Sequence, residues 1–269
     1  MDNALLAVVV VVGLLLTGSC SCRDSSHLAP DGRIVGGEVI SAYYLPYQVS
    51  VRRRNSARSA YAHSCGGALL DERTVLTAAH CVYNRQEENF LVVAGTELRA
   101  GMDGGVVSRV EKLVPNELYN ASITDNDIAL IFVTPPFPLD SQRKIAIIQV
   151  APELPAVGTL ATVSGWGMTT EDGFGSTQLR QVQVPLVDRD VCKAAYNWRP
   201  ITEGMLCAAA SGGGKDACQG DNGGPLVVDN KVVGIVSFGE GCARAQYPGV
   251  YAAVPFFQEW IAEQRAAHA

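Results

Sequence analysis

The sequence predicts an all-β fold, and three observations carry that expectation. From Ile34 onward, short apolar runs alternate with Gly, Pro, Asn and Asp. The runs at 90–94, 128–133, 161–163 and 232–238 have strand length and are rich in β-branched residues. With 269 residues, 48% of them hydrophobic, the chain can bury a large core, and all-β chains of this size often form one domain. Many short strands with frequent turns suit either a barrel or a sandwich, and the pattern alone leaves that choice open.

Taken in order, the elements begin with an apolar run at 4–16, too short to cross a bilayer comfortably. Gly18, Ser19 and Ser21 follow it, as a signal-peptidase site requires. Residues 1–22 are therefore expected to be a signal peptide and the protein to be secreted, with no membrane span. Met1-Asp2-Asn3 supplies no basic side chain, and a lipoprotein site at Ser19-Cys20 or a signal anchor are the alternatives. The polar stretch 23–33 contains Pro30-Asp31-Gly32, a turn-prone linker. The proline-rich stretch 134–155 is a connector between strand-rich halves. At the C-terminal end a helix is expected, because Pro255 suits a first helical position and Phe256, Phe257, Trp260 and Ile261 recur at helical spacing.

Formal charge is −6; of 21 basic and 27 acidic residues, two basic and three acidic precede Ile34, which leaves the remainder at −5. This balance argues against general nucleic-acid binding. The sequence has no metal-ligand spacing, phosphate loop or internal repeat, so neither metal nor cofactor is expected. Cys65, Cys81, Cys192, Cys207, Cys218 and Cys242 form an even set that implies disulfides in a secreted chain, with fifteen pairings open. Cys20 and Cys22 stand at the expected cleavage region.

Five separated motifs set the chain apart. They are Arg33-Ile34-Val35-Gly36-Gly37, Thr77-Ala78-Ala79-His80-Cys81, Asp125-Asn126-Asp127-Ile128-Ala129-Leu130, Ser164-Gly165-Trp166-Gly167 and Gly220-Asp221-Asn222-Gly223-Gly224-Pro225, with Pro248-Gly249-Val250-Tyr251 beyond them. In this order and spacing the chain resembles the chymotrypsin/trypsin family of serine proteases, on the side of secreted insect trypsins of the eta type, over about residues 31–266. The resemblance implies two packed six-stranded antiparallel β-barrels, at about 34–135 and 155–254, with a C-terminal helix at about 255–266. Residues 23–33 would be an activation propeptide and 34–269 the peptidase domain. The disulfides implied are Cys65–Cys81, Cys192–Cys207 and Cys218–Cys242.

The same resemblance assigns site residues. His80 matches the general base and Asp127 the residue that holds its tautomer. Ser237 matches a serine that hydrogen-bonds the buried aspartate; an ordinary strand serine is the plainer reading. Gly220 and Asn222 would supply the oxyanion-hole amides. Asp216, six residues before Asn222, matches a carboxylate at a pocket floor that selects Arg or Lys, with Gly239 and Gly249 as side-chain-free walls. Phe238 stands where the family's neighbouring subsites usually have tryptophan. Asp221 would pair with the Ile34 amine freed by cleavage after Arg33. Asp125 is expected to be solvated.

Asn222 is the departure, because the family has serine there. A carboxamide nitrogen lone pair is delocalised and its oxygen is a weak nucleophile. Two expectations follow: an inactive homologue that binds peptides or protease inhibitors through exposed Arg or Lys, or an endopeptidase in which Asn222 is a variant. Partners are such peptides or proteins and an activating trypsin-like protease; a monomer is expected. Asn120-Ala121-Ser122 is a glycosylation sequon. Arg52-Arg53-Arg54-Asn55-Ser56-Ala57-Arg58 reads as a solvated basic loop or an exosite for acidic partners. The 95–105 stretch lacks the paired acids of the calcium loops of vertebrate trypsins, so the resemblance does not imply calcium.

Overall fold

The computed structural model describes residues 34–101, 104–140 and 144–268, besides Met1. The proposed signal peptide, propeptide and Arg33, with Cys20 and Cys22, lie outside the described residues. The strands are β1 (Glu38–Val39), β2 (Gln48–Arg53), β3 (Ala62–Leu69), β4 (Thr74–Thr77), β5 (Phe90–Ala94), β6 (Val106–Pro115), β7 (Ala129–Thr134) and β8 (Gln149–Val150). They continue with β9 (Leu160–Gly165), β10 (Arg180–Val187), β11 (Met205–Ala208), β12 (Pro225–Val228), β13 (Lys231–Phe238) and β14 (Gly249–Ala253). Among the described residues the α-helices are α1 (Ala79–Val82), α2 (Arg189–Ala195) and α3 (Gln258–Ala267).

Six strands close the first barrel in the order β2-β3-β4-β7-β6-β5. The second runs β10-β11-β14-β13-β12-β9 and closes where β10 pairs with β9, Val182 opposite Val163. Strand β1 adds to its β10 edge, and β8 lies parallel to β13. Closure removes free sheet edges, which is how an all-β chain avoids edge-to-edge association. The barrel-or-sandwich choice left open by periodicity is thus resolved as two antiparallel barrels.

The apolar runs become strands because they can bury both faces. All five residues of β5 are buried, and so are the first five of β7. The first barrel's core contains Val49, Leu69, Leu76, Leu130 and Ile131, and continues through Trp166, Ile235 and Ile261. That continuity fuses the barrels along their junction. A second core, with Val163, Val184, Leu226 and Tyr251, fills the second barrel and contains Ile34. Each fully buried aliphatic side chain contributes about 1.5–3 kcal/mol. Pro255 stands in a 3-10 turn, Val254–Phe257, that leads into α3. Helix α3 buries Ile261, and Trp260 packs beside it while donating to Glu117 Oε2 at 2.8 Å.

Truncating the core should show in stability. Leu130 has no exposed surface. Leu130→Ala should cost about 2–5 kcal/mol through lost contacts and an unfilled cavity. A urea transition of the oxidised protein checks this, and a shift below about 1 kcal/mol would mean that the core is not packed as described.

Candidate active site

The site forms at the junction of the barrels, from loops that bring distant residues together. His80 lies in the single turn of α1, whose neighbour Cys81 is bonded to Cys65 of β3. Asp127 enters from the loop before β7 and is 2% exposed. Its Oδ1 accepts the His80 backbone N–H at 2.8 Å, and its Oδ2 meets His80 Nδ1 at 2.7 Å. The Ser237 hydroxyl donates to the same Oδ2 at 2.5 Å. A carboxylate oxygen accepts, so this contact suits the Nδ1–H tautomer and leaves the other ring nitrogen with its lone pair. Ser237 is therefore more than an ordinary strand serine.

The loop carrying Asn222 is shaped by its glycines. Gly220 has φ +98° and Gly223 φ +76°, where a side chain is strained. A Cβ on Gly223 would lie 2.3 Å from Thr77 Oγ1 and 2.8 Å from Gly66 O. The Asn222 carbonyl accepts the Gly66 N–H at 2.8 Å, and the Gly223 N–H donates to Val236 O at 2.8 Å. His63 Nε2 lies 2.8 Å from Gly220 O, while its Nδ1 meets Ser50 Oγ at 2.8 Å. Burial pushes His63 down to about 4, so it is neutral and donates Nε2–H to that carbonyl. The Gly220 peptide is thereby held from its carbonyl side. Among the described residues the amides of Gly220 and Asn222 donate to no protein acceptor.

Beside this loop opens a pocket of about 210 Å³, lined by Asp216, Asn222, Ser237, Phe238, Gly239 and Gly249 among others. Asp216 is 4% exposed. Its Oδ2 accepts the Ala243 N–H at 3.0 Å, whereas its Oδ1 has no partner among the described residues. Burial pushes Asp216 up to about 7; backbone donors from Ala243 and Ala217 pull against it, and the Asp221 charge adds to it. A Cβ on Gly249 would come within 2.7 Å of Asp216 Oδ1 and close over the carboxylate. At Gly239 a Cβ would meet only Gly241 O at 3.5 Å, so packing leaves that position free and any constraint there comes from the pocket itself.

Asp221 has no exposed surface, and accepts from Gly167 N at 2.8 Å and Cys218 N at 3.0 Å. Burial pushes it up to about 6 despite these donors. Ile34 is buried in the second core, and Val35 O accepts the Asp216 N–H at 3.3 Å. The three disulfides join the pairs that the resemblance implies, and Cys218–Cys242 ties the Asn222 loop to the pocket wall.

Several residues behave otherwise than the sequence suggested. Arg52 does not belong to an exposed basic run: it is 1% exposed, and donates to Ser50 Oγ at 3.2 Å, to Leu98 O at 3.1 Å and to Gly101 O. Arg54 lies over the Tyr61 ring at 4.9 Å, and Arg58 is exposed. Asp125 is not simply solvated; its Oδ1 accepts Thr202 Oγ1 at 2.7 Å and so links the barrels. Ser50, Arg52, His63 and Arg199 were not recognised from sequence. Asn120 is exposed, and its Oδ1 accepts the Ser122 N–H at 3.0 Å. Cys65, His80 and Cys81 form a group of metal-type side chains, but the two sulfurs are joined in a disulfide and cannot act as thiolates.

Two closed barrels with a His–Asp–Ser network at their junction define the scaffold of a serine endopeptidase. The chain belongs to the trypsin family: the family model described as Trypsin matches residues 34–261. It is similar to Trypsin eta of Drosophila melanogaster, 58% identical over 268 residues that cover 100% of both chains. Trypsin eta of Drosophila erecta is 58% identical over 98% of this chain and 100% of its own. The Vitellin-degrading protease of Bombyx mori is 40% identical over 98% of this chain and 95% of its own.

The geometry bears on the chemical durability of Asn222. An Asn-Gly pair deamidates when the glycine nitrogen attacks the asparagine side chain. Here the Gly223 N–H is committed to Val236 O and the Asn222 carbonyl to Gly66 N–H. Peptide mass spectrometry of aged protein should find conversion at 222 several-fold slower when folded than when unfolded. Equal rates would show that the loop is not held this way.

Proposed function

We propose that this chain is a secreted binding protein on a trypsin frame, which captures peptides or proteins through an exposed arginine or lysine without cutting them. The observation that carries this reading is the combination of an intact anionic pocket with Asn222 where the family's nucleophile stands. Asp216 Oδ1 lacks a partner, and an Arg or Lys head group would supply the missing donors and the opposite charge. The fit is chemical as well as steric, because glycines at 239 and 249 leave room for a long side chain. Protease inhibitors that present such a residue on a rigid loop are a second partner class, since preorganisation lowers the cost of binding.

Turnover is a different matter. His80 has no hydroxyl to deprotonate, so no acyl intermediate forms. Losing the serine of such a triad costs about 10⁶ in turnover, or about 8 kcal/mol. The proposed oxyanion donors are backbone amides of Gly220 and Asn222 and do not depend on the side chain at 222. Binding therefore survives where catalysis does not.

Cleavage after Arg33 by a trypsin-like protease would free the Ile34 amine. Asp221 is buried and destabilised as an anion, so an ammonium beside it would stabilise the pocket walls. In this reading residues 1–22 are the signal peptide, 23–33 the propeptide and 34–269 the mature domain. The three disulfides support an oxidising, extracellular setting. The exposed Asn120 sequon would be open to glycosylation.

One observation favours the alternative, an endopeptidase cleaving after Arg or Lys: every other part of the machinery is present, and the similar proteins are named as trypsins. Asn and Ser codons can differ by one transition, so resequencing codon 222 separates a fixed residue from a variant.

Activity decides between them directly. After activation, the unaltered protein should hydrolyse an arginine amide at background rate, and Asn222→Ser should restore cleavage after Arg and Lys by at least about 10⁴-fold. Turnover of the unaltered protein within about tenfold of the variant would sink the binding-protein reading.

Pocket chemistry predicts a pH dependence. Asp216, pushed up to about 7, is protonated below that pH and loses the charge that attracts a cation. Benzamidine association should therefore weaken by about tenfold per pH unit below about pH 7 and level off above it. Calorimetry should also show tighter binding after cleavage at Arg33, and none with Asp216→Ser. A pH-independent affinity between about pH 5 and 8 would place the cation elsewhere.

A further inference from the structure

Arg199 follows α2 and stacks on Phe238, which lines the pocket. Its guanidinium carbon is 3.6 Å from the centroid of the Phe238 ring, a close cation–π contact. Nε and one terminal nitrogen donate to Ile123 O at 3.2 and 2.8 Å, and the same terminal nitrogen donates to Thr124 Oγ1. One side chain thus clamps the first-barrel loop that leads to Asp127 onto the strand that lines the pocket.

The clamp leaves its charge unspent. All these acceptors are neutral oxygens, and a guanidinium stays charged even when partial burial lowers its pKa. Asp127 lies within electrostatic reach of this guanidinium but is already hydrogen-bonded by His80 and Ser237, while Asp125 accepts from Thr202 and Glu240 lies 3.8 Å from Arg244, so Arg199 keeps most of its charge for a ligand. The exposed Trp198 lines the same hollow as Arg199, so the shelf beside the pocket is aromatic with Arg199 as its cation; Lys193, also in that hollow, is paired with Asp190 at 3.6 Å. Phe238 meets Tyr196 edge-on at 5.9 Å and Arg199 on its face, so that face offers a ligand a cation rather than an apolar platform.

We propose that Arg199 is a specificity-determining residue: laid across Phe238 beside the pocket, it favours ligands with an acidic side chain shortly before the anchoring Arg or Lys, and disfavours basic ones. This inference rests on the Arg/Lys-pocket reading above. The effect is that of a partly exposed charge, so it is modest and weakens with salt.

The test uses the activated, otherwise unaltered chain and a fluorescent benzamidine probe. Two competitors, acetyl-Glu-Gly-Arg-amide and acetyl-Lys-Gly-Arg-amide, displace the probe, and each variant's own probe affinity calibrates its titration. At about 20 mM salt the Glu-to-Lys affinity ratio should fall about fivefold in Arg199→Gln relative to the unaltered chain. Arg199→Lys, which keeps the charge and loses the fork, should retain most of the ratio. Raising salt to about 0.5 M should shrink it in the unaltered chain. An unchanged ratio in Arg199→Gln overturns this inference alone; a probe that does not bind the unaltered chain overturns the pocket reading and this inference with it.

Discussion

A buried carboxylate must find donors or a cation, and three of them organise the junction between the barrels. Asp127 is the satisfied case. It takes the His80 amide, the His80 ring and the Ser237 hydroxyl, so its oxygens are satisfied by the protein itself. Asp221 is partly satisfied: two amides reach it, yet burial still pushes it up to about 6. Asp216 is the least satisfied, with Oδ1 left without a partner and a shift to about 7. This gradation matches the roles proposed for them. The first positions a base, the second awaits an ammonium formed by cleavage, and the third awaits one brought by a ligand. An unpaired buried charge is costly, so each deficit is a reason for a partner to bind.

The loop conformation, by contrast, does not depend on the residue at 222. Its shape comes from left-handed Gly220 and Gly223, from the lack of space at Gly223, and from main-chain bonds to Gly66 and Val236. Behind it, Arg52 holds Ser50, Ser50 meets His63, and His63 holds the Gly220 carbonyl. None of these links uses the Asn222 side chain. Under the proposed reading, exchange of hydroxyl for carboxamide removes a reaction step and leaves the frame in place. Such separation is possible because the proposed oxyanion donors belong to the backbone.

The strands were legible in the sequence because their signals are local, whereas the His80–Asp127 pair, 47 positions apart, was expected only through the resemblance of its two motifs to the family. Short β-branched runs between turn residues mark strands, and Thr-Ala-Ala-His-Cys marks its loop without reference to anything distant. The supporting residues were not legible, because their partners are far along the chain: His63 and Gly220 are 157 positions apart. Arg52 shows the difficulty best. Read as part of Arg52-Arg53-Arg54 it belongs to a charged surface loop. Read with strand periodicity, it falls on the same face as Gln48 and Ser50, all three buried. The alternation was available, but the charge run was the louder signal. Arg199 carried no signal, since its acceptor Ile123 lies 76 positions away in the other barrel and Phe238 reaches it only once the second barrel has closed.

Under the proposed reading, loss of the nucleophile changes what affinity means for such a molecule. An active protease uses part of its binding energy in the transition state and releases products, so tight binding of the ground state brings no gain in rate. A frame that cannot form an acyl intermediate has no such constraint: a captured chain leaves only by dissociation, and every contact that slows dissociation prolongs capture. Contacts beyond the pocket then matter more than they do in catalysis. That places weight on the aromatic, cationic shelf formed by Phe238, Trp198 and Arg199, where side chains flanking the anchor would rest. Under the proposed reading, selectivity for a partner is set less by Asp216, which any exposed Arg or Lys can satisfy, than by this shelf.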